Sequence, residues 1–228
     1  MLESSEIDYD ILSEDERLSL AVELFESSTT ALKDSSYSPE TYLKLITACS
    51  EAGHIKEMAR MYQDMDARKV IPLVPTFSSL IGGFTKSGDL SRAVECYNEY
   101  KWLAVSDKLK LSERQDALVY ASVVKAYVDS DKVDGAMKFF QKIIEEYGTS
   151  AEVKNMIIAQ GFVQGLLDRG ILGEALMWAQ SMENGAREIA LDNVATVAAD
   201  RGDIVTANAA FAGAVSYTHL TLPTKRIV

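Results

Sequence analysis

Three stretches of this chain can be laid over one another: TYLKLITACSEAGHIKEMARMYQDM from Thr41, TFSSLIGGFTKSGDLSRAVECYNEY from Thr76 and VYASVVKAYVDSDKVDGAMKFFQKI from Val119. Each holds two amphipathic helical patterns around a short turn. The turn glycines Gly53 and Gly88 lie 35 residues apart, and Asp131 takes the same place in the third stretch. Gly and Asp both tolerate the left-handed backbone that ends a helix. A hairpin of two short helices cannot bury its apolar stripe alone, so units that recur near this period must stack. The expected fold is therefore all-α, an α-solenoid of stacked antiparallel helix pairs.

The second helix of several units carries a small residue followed four positions later by an aromatic; Ala93 with Tyr97, Ala136 with Phe140 and Ala207 with Phe211 are the clean pairs. An i, i+4 pair shares one helix face, so the small residue admits a neighbouring helix and the aromatic fills the gap beside it. Ala21 with Phe25 marks an earlier, interrupted copy. The pattern divides the chain into a partial repeat over 1–38, repeats over 39–73 and 74–108, an insertion over 109–116, a repeat over 117–151, a degenerate repeat over 152–187 and a truncated one over 188–214. The insertion is expected to extend a helix or to form a loop on one face. Trp102 and Trp178 are expected to be packing residues.

The tail VSYTHLTLPTKRIV, residues 215–228, brings Thr, Pro and a basic pair into an Ala-rich helical pattern with no turn to explain them. It resembles the translated end of a sequencing adapter and is expected to be non-native, so that deleting it leaves helix content unchanged. The opening MLESSEIDYDILSED is too acidic for a signal or transit peptide, and the chain is expected to be cut at both ends.

Reactive groups are sparse. The histidines are His54, beside a turn, and His219, in the tail; no metal-ligand spacing, nucleophile elbow or phosphate-binding loop occurs. The expectation is a non-enzymatic protein with no cofactor, no metal and no small-molecule substrate. Cys49 and Cys96 fall inside apolar helical patterns and read as small buried hydrophobes. No apolar run reaches the roughly 18 residues of a membrane-spanning helix. Lys and Arg number 23 against 34 for Asp and Glu, a formal charge of −11 that disfavours non-specific binding to phosphates.

The stacked segments resemble pentatricopeptide repeats. The matching residues are Thr41-Tyr42, Leu45-Ile46, Ala52-Gly53, Tyr62, Met65 and Pro72 in the first full unit, and Thr76-Phe77, Leu80-Ile81, Lys86-Ser87-Gly88, Ala93 and Tyr97 in the second. Tetratricopeptide repeats are the structural competitor, but they carry an early Trp in the first helix, where neither tryptophan of this chain falls. The resemblance implies a mitochondrial or plastid protein, with the mitochondrion the expected site, and many family members bind single-stranded RNA at one base per repeat. It further implies a reader just after the first-helix Tyr and another at the end of each unit, here Leu43 with Leu73, Ser78 with Lys108, and Ala121 with Ala151. The implied phosphate-facing position, two before the turn, holds Glu51, Lys86, Asp129, Asp168 and Asp200. Two of the three reader pairs have no hydrogen-bonding side chain, and four of the five phosphate positions are acidic. The expected role is thus a scaffold that docks a protein partner, and RNA after it, in organellar gene expression or respiratory-complex assembly. The alternative is a single-stranded RNA-binding factor for processing, stability or translation of organellar transcripts.

Overall fold

Helix boundaries follow from capping chemistry. Ser38 accepts from the amide of Thr41 to begin α2 (Pro39–Ala52), and Pro39 occupies a first-turn position where no amide donor is needed. Gly53, at φ 80°, ends that helix in the left-handed region, and the next amide, of His54, donates to the Cys49 carbonyl at 2.8 Å. The same devices recur down the chain: Asp89, Ser112 and Ser150 cap the helices that follow them. Gly88, Gly170 and Gly202 turn at φ 76°, 78° and 76°, and Asp131 does so at φ 60°, as its alignment with the glycines predicts.

The computed structural model describes residues 13–31, 37–106, 108–109, 112–183 and 185–221, and every regular element among them is helical. The chain divides into two compact units, Met1–Lys110 and Leu111–Val228. In the first unit α1 (Glu14–Ala31) packs on α2, the pair α2 and α3 (Ile55–Ala67) forms one hairpin, and α4 (Val74–Lys86) with α5 (Leu90–Val105) forms the next. Stacking runs through the first helices, α2 on α4. Met58, Met61 and Met65, at helical spacing, are all at most 1% exposed, as are Tyr42, Ile46, Phe77, Leu80 and Ile81. Each such side chain contributes roughly 1.5–3 kcal/mol by leaving water. The Tyr42 hydroxyl is not left unpaired there, since it donates to Asp64 at 2.6 Å, and Asp64 in turn accepts from Arg68.

The second unit holds α6 (Glu113–Asp129), α7 (Val133–Tyr147), α8 (Ala151–Ile157), a π-helical turn over Ile158–Val163, α9 (Gln164–Asp168), α10 (Leu172–Gln180), α11 (Gly185–Asp200) and α12 (Ile204–Thr221). From α8 to α9 the backbone is one rod with a π turn inside it, the first helix of a hairpin whose second helix is α10. Gly161 and Gly165 lie against Val124 and Val128 of α6, so close that a Cβ on Gly161 would stand 2.6 Å from a Val124 methyl. The Phe162 ring stacks on Trp178 with centroids 3.8 Å apart, and Phe140 meets both edge-on. Trp178 is thus a packing residue, as expected.

Part of the inserted stretch extends a helix, one of the two forms expected for it, because Ser112 caps α6 and Glu113 begins it. Three expectations need adjustment. Trp102, expected to be a packing residue, is 59% exposed, with the Lys108 ammonium over its ring. Phe211 is 61% exposed rather than filling a gap beside Ala207; α12 buries Ala210 instead, and the next residue points about 100° away around the helix. The break expected at 215 is absent: α12 stays helical through Thr221. The first residue in the tail that opposes a helix is Pro223, which also disfavours helix at the position before it. Deleting residues 215–228 therefore removes about two helical turns; residues 222–228 lie outside the described part.

Candidate functional site

The first helices end in a run of charged residues, and three cations near those ends are turned onto the preceding hairpin. Lys86, at the last position of α4, donates from Nζ to the Ser50 and Glu51 carbonyls at 3.2 and 3.3 Å. Those carbonyls belong to the last turn of α2, where acceptors lack intrahelical partners and the helix dipole is negative. Arg169, just past α9, donates to the Val128 carbonyl at 2.7 Å and to the Asp131 carboxylate at 2.6 Å, at the matching end of α6. One hairpin later the Arg201 guanidinium sits against Gly170.

Lys125 completes the pattern in the second unit. Its ammonium lies 2.7 Å from both Asp129 and Asp168. Burial alone would lower its pKa, but the hydrogen bonds from the two carboxylates outweigh it and hold the group above its ordinary value. A cation gripped this way has little charge left for an outside phosphate. Asp168 and Asp200 remain exposed at the ends of their helices.

The positions expected to face a partner have separate fates. Leu43 in α2 and Leu73, which precedes α4 in extended conformation, are half-buried. Ser78 is half-buried too, with its hydroxyl shielded and without a hydrogen-bond partner. Lys86 is committed to α2. Lys108 lies over the Trp102 ring at 4.5 Å, a cation–π contact. Ala121 is 2% exposed inside α6 and offers no surface, while Ala151 is exposed in the first turn of α8. Among the described residues no hydrogen bond or ion pair joins one of these seven to another. Lys125, Arg169 and Arg201 were not singled out by sequence reasoning. The Lys125-to-Asp129 spacing of four was a visible signal, whereas the partners of the two arginines lie a whole hairpin away.

This arrangement defines an all-helical repeat protein whose first helices pack side by side within each unit, and among the described residues no group of His, Cys, Asp or Glu is placed to hold a metal ion. The pentatricopeptide repeat pattern matches residues 40–70, 75–103 and 118–147, and a tetratricopeptide repeat pattern matches 152–225. The chain carries three pentatricopeptide repeats, with a tetratricopeptide-like unit following them. It is similar to a mitochondrial 15S rRNA processing factor of Debaryomyces hansenii, 25% identical over 115 residues that make up 50% of this chain and 14% of the relative. It is also similar to a chloroplastic pentatricopeptide repeat-containing protein of Arabidopsis thaliana, 22% identical over 130 residues, 55% of this chain and 25% of the relative. The chain thus spans a quarter or less of either relative's length.

Proposed function

We propose that this chain is a non-enzymatic scaffold acting in organellar gene expression, and that these hairpins grip a protein partner rather than read RNA bases. The observation that carries this reading is the fate of the phosphate-facing position. It holds Glu51, Lys86, Asp129, Asp168 and Asp200, and the lone ammonium among them is bonded to the α2 carbonyls. Carboxylates at that edge repel phosphate and forfeit the counterion release that supplies most nucleic-acid affinity. Ala121, enclosed in α6, cannot reach a base edge either. The relative with the higher identity is a mitochondrial protein, which supports placing this one in the mitochondrion.

The second reading, a factor that binds single-stranded RNA, is favoured by that relative's printed role in rRNA processing. Fluorescence anisotropy with labelled 20-nucleotide RNA pools at 50 and 200 mM salt separates the two. The scaffold reading expects weak binding, with Kd above about 10 μM at the higher salt and a slope equivalent to fewer than about two phosphates. Saturable, sequence-selective binding below about 1 μM with a steep salt dependence would overturn it.

A further inference from the structure

Exposed tryptophan is unusual at a surface with no role, because its large apolar face gains nothing from water and it is the residue most enriched at the energetic centres of interfaces. Trp102 is 59% exposed on α5, in the first unit. It forms one wall of a groove of about 320 Å³ that runs between the end of α3, the α3–α4 link and α5. Apolar groups make the rest of the floor: Val70, Ile71 and Pro72 from the link, and Leu103 from α5. Ile71 is 49% exposed, so two large apolar side chains face solvent in one place.

The rim carries both signs of charge. Asp66, Lys69, Glu99 and Lys108 all line the groove. Two of these are occupied. The Lys108 ammonium covers Trp102, and the Glu99 carboxylate, with burial the larger cause, keeps the Tyr62 phenol above its ordinary pKa. Asp66 and Lys69 are left without a side-chain partner among the described residues.

Lys69 also costs local stability where it stands. It follows α3 at φ 57°, in the left-handed region, with its amide on the Asp66 carbonyl and the Val70 amide on Met65. A glycine or asparagine is the usual occupant of that turn, and a residue with a longer side chain costs about 1 kcal/mol more. Gly53, Gly88, Gly148, Gly170 and Gly202 hold the other left-handed positions, together with Asp131. Here alone a lysine is present, and its side chain lines the groove.

We propose that this groove is a docking site for a short protein segment with one large apolar anchor, seated on Trp102 and Ile71, flanked by an acidic residue for Lys69 and a basic one for Asp66. The proposal rests on the protein-partner reading above and gives it a location. Charge complementarity selects a protein over a nucleic acid: a phosphate chain would meet one free ammonium and two carboxylates, whereas a segment with both signs meets a partner for each. The apolar floor and the volume suit one or two side chains.

The test is selection of dodecamer peptides displayed on phage against the full chain, followed by measurement of the synthetic winners. The tryptophan emission of Trp178→Phe, in which Trp102 is the remaining indole, reports occupancy. The expected winners carry a large apolar residue between charges of opposite sign and shift that emission to the blue. Trp102→Ala should weaken them at least tenfold, and Ile71→Ser about fivefold; both residues are exposed, so circular dichroism should show unchanged folding. Lys69→Glu should enrich peptides whose acidic flank has become basic. If winners bind Trp102→Ala and Ile71→Ser as well as the parent, the groove is refuted while the protein-partner reading stands. Failure to enrich any peptide also refutes the groove. A blue shift induced by a 12-nucleotide single-stranded RNA, with an affinity weakened about fivefold by Ile71→Ser, would overturn both.

Discussion

Replacing Lys86 with Gln separates a stacking role from a phosphate-binding role in one variant. In the structure the ammonium touches the last-turn carbonyls of α2 at 3.2 and 3.3 Å, so its loss removes a cation from the negative end of a helix one hairpin away. A cation at a helix C-terminus contributes about 0.3–1 kcal/mol. A charged hydrogen bond contributes about 1.5–3 kcal/mol if fully formed, but both contacts are long and Lys86 is exposed, so only a small part of that is realised. The net loss is therefore about 0.5–1 kcal/mol after screening. For a chain of this size that lowers the melting temperature by about 1–4 °C. Thermal and urea unfolding followed by circular dichroism read this directly, and Lys86→Arg should restore most of it. RNA anisotropy over a salt series supplies the other half. A lysine on phosphate would, when neutralised, reduce the slope of log affinity against log salt by about 0.7 for a single strand; the structure predicts no change. Stability within about 0.2 kcal/mol of the parent, together with a slope reduced by that amount, would refute the assignment of Lys86 to α2.

Gly161→Ala should destabilise the second unit by about 2–3 kcal/mol, because the new methyl would stand 2.6 Å from a Val124 methyl and 3.2 Å from the Ala121 carbonyl; a melting temperature within 2 °C of the parent would contradict that contact. Burial pushes the Cys49 thiol up to about 11 and the Cys96 thiol up to about 12, from an ordinary 9.0. Since the unfolded thiols ionise first, the stability they contribute is complete below pH 9 and is lost between pH 9 and 11 for Cys49 and between pH 9 and 12 for Cys96. Urea unfolding at pH 8, 9.5 and 10.5 should show a steeper decline for the parent than for the Cys49→Ala, Cys96→Ala double variant, and parallel curves would count against it. Phe211→Ser should change stability by less than about 0.5 kcal/mol, since the ring is exposed on α12; a cooperative loss of α12 would show that the ring is packed.

Turns were the most legible part of this chain, because their chemistry is local. Gly53 and Gly88 announce a left-handed residue by having no Cβ, and Asp131 stands where the alignment places a third. The apolar stripes were legible for the same reason: Met58, Met61 and Met65 follow helical spacing and are buried together. The π turn over Ile158–Val163 was not legible. A π turn differs from an α turn by a single residue, and IAQGFV would read as ordinary helix in isolation. Its visible correlate is tertiary, the approach of Gly161 and Gly165 to Val124 and Val128 on another helix. The site follows the same division. Spacing within one unit located the charged ends of the first helices, but it could not tell a cation offered to solvent from one already bonded, since Lys86 and Arg169 find their acceptors 35 and 41 residues away. Period and register place a side chain on a helix; only the neighbouring hairpin decides whether its charge is free. In a stacked-repeat chain a residue-by-position code for partners is therefore reliable only at positions whose side chains the adjacent hairpin leaves unclaimed. By that criterion Lys69 and Asp66 qualify as contact residues and Lys86 does not.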